Sequence, residues 1–94
     1  MDLRALEVFC KIVELRSFSR AAEAVLLTQP TVSGHIKALE TELGLRLFDR
    51  AGRTVTPTRA GELLHSYARR ILALRDEAQQ AVNEHKGGLK GHLT

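Results

Sequence analysis

The spacing of apolar residues predicts a chain that is mainly helical. Near the N-terminus these residues recur three and four positions apart, which places them on one face of a helix over about residues 2–16 with Asp2 as its N-cap. The members of this stripe are Leu3, Leu6, Phe9, Cys10 and Val13. The segment "RSFSRAAEAV" then interrupts the pattern, and either Ser17 or Ser19 is suited to cap a second, short helix that ends near Leu27.

A third helix is predicted to begin after Thr28 and to end at Gly44. Thr28 is a favourable N-cap, and Pro30 is tolerated in the first turn because the N–H group that it lacks has no partner there. The stripe that faces the core consists of Val32, Ile36, Leu39 and Leu43. Two short helices joined by few residues, the second polar on its outer face, indicate a helix-turn-helix.

After the third helix the period of the apolar residues changes. In "LRLFDRAGRTVTPT" they alternate with polar residues on either side of a glycine, which predicts a β-hairpin at about 46–49 and 53–56. A hairpin directly after the second helix of such a motif is a wing. The predicted fold class is therefore mainly α with a small β-hairpin, a winged helix-turn-helix followed by a long helix.

The last helix is predicted over about residues 59–86, capped by Thr58 and about 40 Å long. Its apolar residues follow an a/d pattern over about three heptads. The predicted dimer interface consists of Leu64, Tyr67, Ile71, Leu74, Ala78 and Ala81, with His85 continuing the heptad pattern. The stripe extends far past what three short helices can cover, so the same helix in a second copy is the favoured partner, and packing against its own core is the alternative.

Composition narrows the class of protein. Ninety-four residues make one small domain, and three Phe, one Tyr and no Trp imply a mostly aliphatic core. Cys10 is the single cysteine, so it can form neither an internal disulfide nor a zinc site built on cysteine pairs, and we interpret it as a core residue. The N-terminus lacks the features of a secretory signal and no segment resembles a membrane span, which predicts a cytoplasmic protein.

The positive charge is concentrated in one part of the chain. Residues 1–27 carry four basic and four acidic side chains, whereas the segment from Arg46 to Arg59 has four arginines and one acid, Asp49. That excess of three equals the net charge of +3. A local basic patch is typical of a nucleic-acid binder, although charge alone fits a solvated basic loop equally well.

The outward face of the third helix carries side chains of the kinds that read base edges in the major groove. Gln29 can form paired hydrogen bonds with adenine, and the helix N-terminus attracts phosphate. Arginines of the wing would lie over the DNA backbone or in the narrow groove. The predicted DNA-binding residues are Thr28, Gln29, Thr31, Ser33, Gly34, His35, Lys37, Arg50 and Arg53, to which the family resemblance described next adds Pro30. Gly34 either permits close approach of DNA to the helix backbone or is a neutral surface position.

These residues resemble the N-terminal winged helix-turn-helix of the LysR-type transcriptional regulators of bacteria. The segments "FSRAAEAV", "QPTVS", "IKALETELGLRLFDR" and "TPTRAG" carry the resemblance, which covers almost the whole chain without a gap. It implies sequence-specific DNA binding by homodimers, often paired into tetramers, on interrupted inverted repeats near promoters. Many members carry Arg at position 34, so Gly34 suggests that base readout has shifted toward Ser33 and His35.

The resemblance also implies a division of the chain. Residues 1–58 correspond to the DNA-binding domain, residues 59–86 to a linker helix that pairs antiparallel with its mate, and residues 87–94 to a hinge. Family members usually continue into an effector-binding domain with two α/β lobes, and "LKGHLT" resembles its first strand. We therefore expect a fragment of a longer protein, in which a small-molecule effector binds only through the C-terminal domain.

Other classes of protein explain the sequence less well. No enzyme and no cofactor or metal is predicted, because the four histidines lack metal-ligand spacing and there is no phosphate-binding glycine loop or nucleophile elbow. RNA binding is disfavoured by the lack of aromatic side chains for stacking on bases. The main alternative is a helical protein-interaction module that dimerises without reading DNA, which leaves the polar face of the third helix unexplained.

Overall fold

The computed structural model describes residues 1–50 and 54–93, with side chains described up to Lys86. The elements in chain order are α1 (Leu3–Leu15), α2 (Phe18–Val25), α3 (Gln29–Leu43), β1 (Phe48–Asp49), β2 (Thr56–Pro57) and α4 (Arg59–Leu93). The molecule measures 60 × 24 × 19 Å, because α4 extends far beyond the small domain formed by the other elements. This is the predicted fold class: three helices, a wing and a long final helix.

Capping side chains set the starts of the first three helices. Asp2 accepts a hydrogen bond from a first-turn backbone N–H of α1 at 2.7 Å, and Thr28 does the same for α3 at 3.3 Å. Of the two serines that the sequence offered for α2, Ser17 is the cap, at 3.1 Å, while Ser19 lies inside the helix. Gly44 ends α3 in the left-handed conformation, with φ of 71°, as predicted.

The turn between α2 and α3 is tight. Leu26 adopts a left-handed conformation with φ of 60°, and the Leu27 N–H donates to the Ala22 carbonyl at 3.0 Å. This geometry leaves the Leu26 side chain 90% exposed and packs Leu27 against the core. The turn therefore fixes α3 against α2 without any glycine.

The core is mostly aliphatic, as predicted, but its centre is aromatic. The Phe48 ring from the wing lies 5.3 Å from the Phe9 ring and 5.7 Å from the Phe18 ring, centroid to centroid. These contacts join α1, α2 and the wing. Leu3 and Leu43, predicted to face the core, are 40% and 39% exposed, because each lies at the end of its helix beyond the packed centre.

α1 is the central helix, because α2, α3 and α4 all pack against it. It therefore buries a wider arc than the predicted stripe, including Val8 and Ile12. Cys10 is also buried in this core, which confirms its interpretation as a packing residue.

The wing is shorter than predicted. β1 and β2 pair antiparallel with Phe48 opposite Pro57, whereas the predicted strands spanned 46–49 and 53–56. Pairing does not continue past Leu47 because its N–H donates to the Glu40 carboxylate at 2.8 Å rather than across the hairpin. The Leu47 carbonyl accepts from the Thr58 N–H at 2.9 Å, which joins the base of the wing to the start of α4.

α4 continues to Leu93, so the predictions of a helix end near 86 and of a strand beginning in "LKGHLT" are wrong for the residues described. Glycine retains its backbone N–H and lowers helix stability by only about 1 kcal/mol relative to alanine. The glycines after Lys86 therefore weaken α4 without stopping it. No helix in residues 1–50 or 54–93 combines the length and apolarity required to cross a bilayer.

The first turns of α4 pack against the domain. A Cβ atom at Gly61 would collide with the backbone carbonyl of Leu47, so only glycine permits this close approach. Ala68 is fully buried, and Arg75 forms an ion pair with Glu7 of α1 at 2.8 Å. Leu64, predicted at a dimer interface, is half-buried: it packs against this core and also borders an exposed apolar groove that Leu63 and Tyr67 line.

Candidate nucleic-acid interface

α3 separates its apolar and polar residues cleanly. Val32, Ile36 and Leu39 are buried in the domain core. The exposed members of the predicted DNA-binding set on and before this helix are Thr28, Gln29, Pro30, Thr31, Gly34 and Lys37. Ser33 and His35 are half-buried at the flanks of the exposed face. The outward surface of α3 therefore consists of small or hydrogen-bonding groups.

The N-terminus of α3 carries two hydroxyl groups held in place by each other. The Thr28 and Thr31 hydroxyl oxygens lie 2.8 Å apart, and Thr28 also accepts from the Thr31 N–H. Pro30 has no N–H group, and the N–H groups of Thr31 and Val32 donate to Thr28, which leaves the Gln29 N–H as the first-turn donor beside these two hydroxyls.

Gly34 lies on this exposed face in ordinary helical conformation. A Cβ atom added there would meet no heavy atom within 4 Å. The fold of the chain therefore does not require glycine at this position. Any demand for a small residue must come from a molecule that approaches α3 from outside.

The wing arginine Arg50 lies next to α3. Its guanidinium carbon is 4.0 Å from the centre of the Phe18 ring, and it shares a cleft of about 310 Å³ with Gln29. Arg16, Ser17, Ser19 and Val55 complete the lining of this cleft. The structure thus brings together two residues predicted to bind DNA, Gln29 and Arg50. Arg53, the other predicted wing residue, lies outside the described residues.

Sequence reasoning missed the contribution of Arg16 to this cleft. It assigned Ser17 and Ser19 only to capping and gave Arg16 no role beyond ending α1. Arg16 has a left-handed backbone, with φ of 56°, which turns the chain at the start of α2. A basic residue immediately before the capping serine of a helix-turn-helix is the signal that would have pointed to it.

The predicted basic patch is divided between two places. Arg46 lies 4.0 Å from the Glu40 carboxylate and borders a different recess, together with Lys37 and Thr41. Arg50 instead lies beside Gln29. Arg46 and Arg50 therefore lie in different recesses beside α3 rather than in one cluster.

Comparison with known proteins identifies this architecture. Residues 3–62 match the family described as bacterial regulatory helix-turn-helix protein, lysR family. The chain belongs to the lysR family. Over 94 residues, all of this chain, it is 47% identical to an uncharacterized HTH-type transcriptional regulator in the ibpB-leuC intergenic region of Azotobacter vinelandii, of which it covers 65%. It is 42% identical to the nitrogen assimilation regulatory protein nac of Klebsiella aerogenes, of which it covers 31%.

Solved lysR-family structures have the same fold. The chain in the BenM_DBD/catB site 1 DNA complex is 36% identical, with a TM-score of 0.86 over 89% of this chain and 93% of that one. The chain in the CbnR_DBD-DNA complex is 31% identical, with a TM-score of 0.84 over 89% of this chain and 97% of that one. The present chain thus matches DNA-binding domains almost in full, but spans 65% and 31% of the two curated relatives named above.

Besides the polar face of α3, the lysR-family chain has an exposed apolar surface on α4. Large apolar side chains are exposed there in a continuous stripe: Leu63 at 62%, Tyr67 at 52%, Ile71 at 37%, Leu74 at 63% and Val82 at 65%. At the domain end this stripe borders an apolar groove of about 400 Å³ that Leu43 and Leu45 also line. Ala78 and Ala81, both predicted at the dimer interface, are exposed as well. Leu63 and Val82 are exposed but were not in the predicted set, because they lie one position away from the heptad positions that the sequence suggested.

Two titratable side chains, Cys10 and His65, pack in or against the core. Burial, with a smaller contribution from the Glu14 carboxylate, raises the pKa of the Cys10 thiol from 9.0 to about 11. His65 packs its ring edge against Phe9, and its Nε2 atom is buried without a hydrogen-bond partner among the described residues. Among those same residues, no group of three or more His, Cys, Asp or Glu side chains is arranged to hold a metal ion.

Proposed function

We propose that this chain binds double-stranded DNA sequence-specifically as part of a bacterial transcriptional regulator, and that it is not an enzyme. In this proposal α3 enters the major groove and the wing contacts the backbone or minor groove. The observation that carries the proposal is the exposed hydrogen-bonding face of α3 beside Arg50, opposite a fully buried apolar stripe. Solved relatives of the same fold are complexes with DNA, which supports it.

The proposed contacts follow from the chemistry of each exposed group. The Gln29 amide can donate to and accept from one adenine edge, and a threonine methyl such as that of Thr31 can contact a thymine methyl. Lys37, on the same exposed face, binds a phosphate and so contributes affinity more than specificity. At the start of α3 the Gln29 N–H can donate to a phosphate of the DNA backbone.

The proposed assembly is a homodimer through α4 on an inverted repeat. A row of exposed apolar side chains along a helix of 35 residues is what such a pairing would bury. Two identical readers related by a twofold axis then contact two half-sites of opposite orientation. For a protein in which this chain is followed by an effector-binding domain, we further propose assembly into tetramers, binding of a small-molecule effector to that domain, and action in the cytoplasm.

The test is a binding selection from a random pool of duplex DNA, sequenced after several rounds. Enrichment of an inverted repeat would support a dimeric sequence reader and provide the operator. Recovery of A·T-rich DNA without symmetry would mean that shape and the wing dominate. If no sequence is enriched even at low salt, the chain is better described as a protein-interaction module.

Salt dependence separates these two functions independently of any operator. Binding through phosphates releases counterions, so affinity for DNA should fall steeply as salt rises. Association through an apolar helix surface should change little over the same range.

Position 34 tests which side chains read the bases. We propose that Ser33 and His35, at the edges of the exposed face, take over the readout that an arginine at position 34 performs in many family members. Gly34→Arg is then expected to change the preferred half-site, with Gly34→Ala as the control that fills space without adding a donor. The same selected motif for both variants and for the unmodified chain would count against this assignment.

A further inference from the structure

The guanidinium of Arg50 rests on a fixed platform. The Phe18 ring beneath it, at 4.0 Å, is only 6% exposed and packs edge-on against the Phe48 ring at 5.7 Å between centroids. A cation above an aromatic face is attracted by the ring electrons, and arginine stacks there more readily than lysine. The stack therefore joins a wing side chain to the first residue of α2.

The cleft around Arg50 is basic and hydroxylic. Among the described residues, neither Arg16 nor Arg50 forms an ion pair with a carboxylate. Both arginines line the cleft with Gln29 and two serines. A guanidinium whose central carbon lies over a ring still has N–H donors that point away from the ring, where they can bind an anion. The cleft is therefore chemically suited to a phosphate group.

We infer that Phe18 is a positioning residue for DNA binding: its ring holds the Arg50 guanidinium beside Gln29, where it binds a phosphate of the DNA backbone. This inference rests on the proposed function and refines it. It assigns Arg50 to the backbone rather than to the narrow groove. It also places the phosphate contact next to the base pair that Gln29 reads.

The benefit of the stack is preorganisation. A flexible arginine loses rotamer freedom when it binds, and this loss reduces affinity. Phe18 restricts Arg50 before DNA arrives, so less freedom is lost on binding. Removing the ring should weaken DNA binding only while Arg50 is present, which distinguishes positioning from a general role in the core.

The experiment is a double-mutant cycle on binding to a duplex of random sequence, measured over a range of salt concentrations. The variants are Phe18→Leu, Arg50→Ala and their combination, with Lys11→Ala as the matched loss of one positive charge outside the cleft. Arg50→Ala should raise Kd about tenfold. It should also reduce the slope of log K against log salt by about 0.9, the value for one lost phosphate contact.

Phe18→Leu should raise Kd about threefold in the unmodified chain, the value expected for an exposed cation–π contact. Its salt slope should move toward that of Arg50→Ala, because a poorly held arginine neutralises the phosphate less of the time. In the Arg50→Ala background the same change should have no effect on Kd. Lys11→Ala should leave the salt slope unchanged.

The possible outcomes separate the inference from the function beneath it. Equal effects of Phe18→Leu with and without Arg50, at an unchanged salt slope, would mean that Phe18 is only structural. An unchanged slope in Arg50→Ala beside a steep slope in the unmodified chain would overturn the phosphate contact. Arg50 is exposed, so this second result can be read even if Phe18→Leu does not fold. No salt-dependent binding by the unmodified chain would overturn the proposed function itself, and the inference with it.

Discussion

Two stretches of α4 differ both in composition and in surroundings: residues 60–72, the near half, are rich in large apolar side chains, whereas residues 76–86, the distal half, have Val82 as their one large aliphatic residue. Between residues 60 and 72 the helix packs Ala68 and Leu72 against the three-helix domain. Residues 76–86 are all exposed, although the apolar stripe continues there to Val82. Most helix stability in proteins comes from packing of an apolar face rather than from intrinsic propensity. The near half is therefore stabilised by its own domain, while the distal half depends on the proposed second copy for the burial of its apolar residues.

The largest expected effect comes from the core beneath the near half. Phe9 is fully buried and contacts both Phe48 and the α4 residue His65. Phe9→Ala should lower the free energy of unfolding by about 4 kcal/mol through lost burial and a cavity. Leu63→Ala, at a site 62% exposed in the monomer, is the control and should cost less than about 1 kcal/mol at low protein concentration. Urea unfolding measures both free energies. Equal losses for Phe9→Ala and Leu63→Ala would show that the buried contacts beneath α4 contribute no more to stability than its exposed stripe does.

The contact of α4 with the wing is tested by a pair of helical glycines. Gly61→Ala places a methyl group against the Leu47 backbone, which cannot move aside as a flexible side chain would, so it should cost about 3 kcal/mol. Gly34→Ala meets open space and should stabilise the fold by about 1 kcal/mol through helix propensity. Thermal unfolding of the two variants should shift in opposite directions. A stabilising Gly61→Ala would show that α4 is not held tightly there.

The exposed apolar stripe that leads into the distal half is tested by a charge at Leu74. Leu74 is 63% exposed, so Leu74→Lys should leave the monomer folded, but it would place an ammonium group in the proposed dimer interface. We expect the dimer dissociation constant to rise about 30-fold, measured by analytical ultracentrifugation. Gln80→Lys, an exposed change away from the stripe, serves as control. A dimer insensitive to Leu74→Lys would place the interface elsewhere.

The smallest effect concerns Cys10 in the near region. Its pKa of about 11 lies above the ordinary 9.0, so the folded state favours the protonated thiol. Stability from this preference is complete below pH 9 and is lost as pH rises through 11, because the unfolded chain ionises first. The free energy of unfolding should therefore fall more between pH 8 and about 10.5 in the unmodified chain than in Cys10→Ala. Urea unfolding of both proteins at the two pH values would measure this difference. An equal fall in the free energy of unfolding for the unmodified chain and for Cys10→Ala would exclude the effect.

Much of the fold could be predicted because its signals are local. The N-caps Asp2 and Thr28 act within one helical turn, and the buried stripe of α3 follows helical spacing. The point at which strand pairing ends depended on the hydrogen bond from Leu47 to Glu40, a side chain on a different element, which no local pattern contains. Glycines after Lys86 were over-interpreted, because their cost per residue does not exceed what a long helix tolerates.

The features of the candidate site likewise divide into those that the sequence could predict and those that depend on tertiary contacts. The polar face of α3 is a periodic feature and could be identified from the sequence. The stack of Arg50 on Phe18 joins the wing to α2 and depends on how the hairpin folds back, so it could not. On α4 the heptad pattern selected Leu64, which is half-buried, and left out Leu63, which is exposed. Both faces of the helix are apolar near the domain, and periodicity alone cannot say which face meets which partner.

The ion pair of Arg75 with Glu7 is the last one that joins α4 to its own domain among the described residues. From Arg75 to Leu93 the helix is about 27 Å long at 1.5 Å per residue. A tilt of about 5° at Arg75 therefore moves the far end by about 2 Å, less than the 3.4 Å rise of one base pair. In the proposed dimer, a small change of helix direction beyond Arg75 would thus alter the separation of the two DNA-binding domains by less than one base-pair step.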